Sequence, residues 1–139
     1  MNPTTRKNLF VTVFAGVVSG VCVVTAIAAE PDLSKLPPPS DKKDLTYAKD
    51  IKPIFEKTCF KCHGPEKQKA KLRLDSLEAA LKGSENGEVI LKGKSAKSTL
   101  VQAVGRLDDD SAMPPEGKGD PLSKDTVGLI RAWIDQGAK

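Results

Sequence analysis

One histidine, His63, stands in this 139-residue chain, directly behind the second cysteine of Cys59-Phe60-Lys61-Cys62-His63. The third cysteine, Cys22, lies in an apolar N-terminal run, and Met113 is the only methionine besides the initiator. This scarcity narrows the chemistry. Four thiolates, or a second Cys/His pair for a closed zinc site, are not available. Nor are there enough cysteines for a dense disulfide scaffold. The formal charge of +4 is mild, and no aromatic residues interleave with a basic stripe, which argues against nucleic-acid binding. Aromatic residues make up 4% of the chain, few for a domain of this size to close a core unaided.

The spacing C-x-x-C-H is the attachment signature of c-type haem. Two thiols separated by two residues match the two vinyl groups of the porphyrin, and the next residue supplies a proximal imidazole. Other uses of the pair fit less well. A zinc half-site lacks its second half. A thioredoxin-like pair belongs between a strand and a helix of a βαβ unit, whereas here a helical pattern precedes it. A plain disulfide would close a very small loop and stabilise little. Met113 sits in Ser111-Ala112-Met113-Pro114-Pro115, where two prolines stiffen the loop and no helical face needs filling. A thioether is a soft ligand for a sixth iron position and raises the reduction potential. Lysine, water or an empty position are the alternatives.

The N-terminus places this chemistry outside the cytoplasm. Arg6 and Lys7 precede an uncharged apolar stretch from Leu9 to Ala29 that ends in Ala26-Ile27-Ala28. Residues 1–28 read as a secretory signal peptide with a small-x-small cleavage site. The run over 9–29 is also long enough to span a bilayer, so an uncleaved anchor is the rival reading. The exported part is expected to be periplasmic or otherwise extracytoplasmic, on the membrane only if that segment is retained. Residues 29–45, with Pro37-Pro38-Pro39 and many charges, read as a linker or a disordered N-terminus.

From residue 46 to 139 the pattern is that of one helical domain. Tyr47, Ile51, Ile54 and Phe55 share a helix face. With Asp50 as the N-cap, Pro53 falls in the first turn, which predicts a helix over about Asp50–Thr58. Lys71–Leu74 reads as extended. Asp75-Ser76-Leu77-Glu78 is a capping-box pattern, with Gly83 as its stop. Ser98 is placed to cap a helix bearing Leu100, Val101 and Val104. Residues 105–121 read as a loop. Ser123 opens a last helix that carries Val127, Ile130, Trp133 and Ile134 and stops at Gly137.

These residues resemble the planctomycete-type cytochrome c domain, a branch of the class I c-type cytochromes. The resemblance rests on YAKDIKPIF (47–55), CFKCHGP (59–65), LRLD (72–75), AALKG (79–83), MPPEG (113–117) and WIDQGA (133–138). One departure is Lys69-Ala70-Lys71, where such domains commonly have a Gly-rich step. The resemblance implies an all-α class I cytochrome c-like fold, short helices and long loops around one covalent haem c. Carried over, Cys59 and Cys62 attach the haem, His63 is the proximal ligand and Met113 the distal one. It also implies that Tyr47, Ile51 and Phe55 of the first helix meet Ile130, Trp133 and Ile134 of the last.

The expected activity is electron transfer by a single-haem carrier, not an enzyme, with redox proteins as partners. A haem c sensor or catalytic subunit with an open distal position is the first alternative. A haem-free thiol–disulfide protein is the second. Lys57, Lys61, Lys67, Lys69 and Lys71 cluster around the motif; they form either a docking face for an acidic redox partner or an ordinary solvated surface.

Overall fold

Thr46 opens the first helical segment with a reciprocal cap: its hydroxyl accepts from the Lys49 N–H, and its own N–H donates to Asp50 Oδ2 at 2.9 Å. The computed structural model, which describes residues 30–139, therefore starts this helix before the expected Asp50. Pro53 is accommodated differently as well. A wide π-type turn over Tyr47–Ile51 sends the Lys52 N–H back to the Tyr47 carbonyl, and α1 (Lys52–Thr58) follows with the proline in its first turn. The wider turn relieves the contact an ordinary helix would force between the proline ring and the carbonyl four residues earlier.

A short helix α2 (Phe60–His63) continues almost directly from α1. Ser76 caps α3 (Leu77–Lys82) by accepting from Ala79, one residue beyond the Asp75 start of the expected capping box, because the Asp75 carboxylate is taken by Arg73 at 2.6 and 2.9 Å; Gly83 ends the helix at φ +85°, as its sequence predicts. A 3-10 turn, Ser95–Lys97, leads into α4 (Thr99–Val104). Ser98 stands at the N-cap of α4, yet its hydroxyl makes no cap. It is fully buried and instead accepts from the Leu91 N–H at 2.9 Å and donates to the Lys94 carbonyl. Ser123 caps α5 (Lys124–Asp135) through the Thr126 N–H. Among the described residues the fold is all-helical, with two isolated bridges, His63 with Gln68 and Ser84 with Gly87, in place of any sheet.

The apolar face of the first helical segment packs on that of α5, as the resemblance implies. Tyr47, Phe55 and Trp133 form a mutual cluster with ring centroids 6.1–6.5 Å apart, in tilted and edge-to-face arrangements that add to area burial. Ile51, Ile130, Ile134 and Val101 surround it, all fully buried. The Lys139 carbonyl accepts from both the Trp133 indole N–H at 3.1 Å and the Tyr47 N–H at 2.7 Å, tying the end of the chain to the start of the domain.

Residues 36–45, read from composition as linker, lie along α5 as a strap. Leu36 and Leu45 are buried. The Ser40 N–H donates to the Gly128 carbonyl at 2.9 Å. Arg131 donates to the Pro37 carbonyl, and Gln136 bonds both the Lys42 carbonyl and the Leu45 N–H. Three prolines hide this role, because a polyproline stretch has no periodicity to betray a docked face; its carbonyls serve as acceptors. Gly128 makes the approach possible, since a Cβ there would stand 2.7 Å from the Pro38 carbonyl oxygen. The expected signal peptide (1–28) and the alternative anchor (9–29) lie outside the described residues. Among those described, no helix is long and apolar enough to cross a membrane.

Candidate functional site

The Cys59–His63 turn is built by backbone bonds alone. The Cys59 N–H donates to the Phe55 carbonyl at 2.7 Å, and the Cys62 and His63 N–H groups both donate to the Cys59 carbonyl. Gly64 ends α2 in an extended conformation. A Cβ at that position would sit 2.5 Å from the Phe60 carbonyl oxygen, so only glycine fits. The His63 carbonyl then accepts from the Leu74 N–H at 2.8 Å. The Leu74 carbonyl in turn accepts from the buried Tyr47 hydroxyl at 2.7 Å. A single line of hydrogen bonds thus runs from the aromatic core through the Leu72–Asp75 segment to the histidine backbone.

Met113 arrives from the other side. Its N–H donates to the Ala103 carbonyl of α4 at 2.9 Å. Cys59, Cys62, His63 and Met113 all line one cavity of about 640 Å³, within the ~300–1,000 Å³ of ordinary cofactor sites. Pro53, Ile54 and Thr58 of α1, Val104 of α4, Leu122 just before α5 and Thr126 in its first turn also line it. The four residues singled out in the sequence are therefore brought together.

The electrostatics suit a neutral, soft donor set. Burial lowers the His63 pKa, against an opposing influence from the backbone at Lys69 and Leu72. Nδ1 of His63 is buried and has no hydrogen-bond partner. The imidazole is accordingly held neutral, the form that ligates metals. Burial raises the Cys59 thiol pKa, opposed by the Thr58 hydroxyl 3.3 Å away. Both cysteines are free thiols. Among the described residues no group of three His, Cys, Asp or Glu side chains could hold a metal ion directly.

The lysines divide. Lys57 and Lys61 line the cavity, and so does Lys118, which sequence reasoning passed over because its loop has no register to follow. Lys71 lies against Glu85 at 3.8 Å. Lys67, Lys69 and Lys71 are exposed and lie away from the cavity walls.

Residues 59–117 match the Planctomycete cytochrome C family. The matched stretch runs from the first cysteine of the motif to the glycine that closes the Met113 loop, and so covers all four cavity residues. No curated protein and no solved structure matches the chain. The rest of the cavity wall, from α1 and from residues 118–126, lies outside the matched stretch.

Proposed function

We propose that this chain is a single-haem c-type cytochrome that carries electrons outside the cytoplasm. The observation that supports it most is the convergence of both exported cysteines, the lone histidine and the exported methionine on one cavity. The site fits the group: two free thiols for thioether attachment, a half-buried imidazole on the cavity wall, and a soft sulfur donor. Cys59 and Cys62 would attach the porphyrin, and His63 and Met113 would ligate its iron. When bound, the haem supplies one-electron Fe(II)/Fe(III) chemistry.

The chain's own residues do the rest. Ile54, Val104 and Leu122 give the cavity an apolar lining. The neutral imidazole needs no proton removed before it ligates. Were His63 and Met113 both given to the iron, the chain would have no second histidine to act as an acid or base, which favours electron transfer over catalysis. Lys57, Lys61 and Lys118 outnumber the one acid on the cavity wall, Asp120, and suit an acidic redox partner, whose transfer rate would fall as ionic strength rises. Exposure of the ferrous protein to CO tests the ligation. Wild type should bind CO slowly and Met113→Ala rapidly. Rapid binding by wild type would instead support the open-site alternative.

A further inference from the structure

We propose that Arg106 is a positioning residue for Met113, clamping the loop that carries the thioether to the end of α4. The proposal rests on the reading of Met113 as the distal ligand. Helix α4 closes with two characteristic hydrogen bonds, from the Arg106 N–H to the Ala103 carbonyl and from the Leu107 N–H to the Gln102 carbonyl, each 3.1 Å. This is a Schellman cap, whose turning residue takes a left-handed φ and is ordinarily glycine. Here the glycine stands one residue early, at φ −79°, and Arg106 takes the left-handed position at φ +54°. A side chain there is unfavourable relative to glycine.

A contact offsets that cost. The Arg106 guanidinium donates to the Pro114 carbonyl at 3.2 Å. Pro114 and Pro115 have no N–H, so the chain immediately after Met113 has no backbone donor with which to bind the scaffold. Arg106 supplies the donor from outside. On the near side, the Met113 N–H is bound by the Ala103 carbonyl, the same group that closes the cap. One helix end therefore holds the loop both before and after the sulfur-bearing residue.

The test uses the ferrous haem-loaded protein, with CO as the probe that enters only when Met113 releases. Arg106→Gly removes the clamp but relaxes the backbone. It should leave the melting temperature unchanged or raised while CO binds about fivefold faster, the effect of losing one solvent-exposed hydrogen bond worth about 1 kcal/mol. Arg106→Gln should also bind CO faster, and Arg106→Lys should restore part of the wild-type rate. Wild-type CO kinetics in Arg106→Gly and Arg106→Gln, alongside rapid binding by Met113→Ala, would overturn the clamp and leave the ligation standing. Wild-type kinetics in Met113→Ala would overturn the ligation reading and the clamp with it.

Discussion

Replacing Tyr47 by Phe isolates the hydrogen bond that links the aromatic core to the histidine segment. The substitution keeps the ring, and with it the packing on Phe55 and Trp133. What is lost is the 2.7 Å bond from the buried hydroxyl to the Leu74 carbonyl, which leaves that acceptor without this donor. Such a loss costs about 1–3 kcal/mol. For a domain of about 100 residues, each kcal/mol lowers Tm by roughly 4–8 °C. Denaturant unfolding followed by the single tryptophan, Trp133, should give a reduced midpoint with an unchanged slope.

The pH dependence gives a second handle on the same bond. Burial pushes the Tyr47 pKa up from 10.0 to about 12, with a smaller contribution from Asp75. The fold therefore favours the protonated phenol. That stabilisation is fully present below the unfolded-state value of 10.0 and is lost as pH rises toward about 12. The gap between wild type and Tyr47→Phe should accordingly narrow across that window. Equal stability at pH 7, or a gap that stays constant up to pH 12, would refute the reasoning.

Two other substitutions probe the scaffold. Gly64→Ala drives a Cβ to within 2.5 Å of the Phe60 carbonyl oxygen, and overpacking of this kind costs about 1–3 kcal/mol; the yield of haem-loaded protein should fall, and a wild-type yield would contradict the fit. Gly128→Ala pushes against the Pro38 carbonyl at 2.7 Å and should release the strap; limited proteolysis should then cut within residues 36–45 while the haem spectrum stays unchanged, and continued protection would show that the strap does not depend on this approach.

Much of the site was legible because its signals are local. C-x-x-C-H is a five-residue pattern, and Met113 stands out as the one methionine besides the initiator, beside two prolines. Periodicity made the two apolar helix faces legible, whereas the packing of Tyr47, Ile51 and Phe55 on Ile130, Trp133 and Ile134 was implied by the resemblance to class I cytochromes c. The missed features are ones that side-chain periodicity does not report. The strap at 36–45 is held by two buried leucines and by backbone hydrogen bonds to residues about 90 positions away. Ser98 sits where a cap is expected, but burial redirects its hydroxyl to Leu91 and Lys94. The early helix start needed a π-type turn, which local propensity does not encode.

The central claim is that Cys59 and Cys62 carry one covalent haem. The most direct measurement is the mass of the mature protein exported from a host with haem-attachment machinery, with parallel titration of its thiols. The expected result is the polypeptide plus one haem, with neither Cys59 nor Cys62 open to alkylation before or after reduction. A mass equal to the bare polypeptide, with two thiols recovered on reduction, would contradict it and favour a thiol–disulfide role.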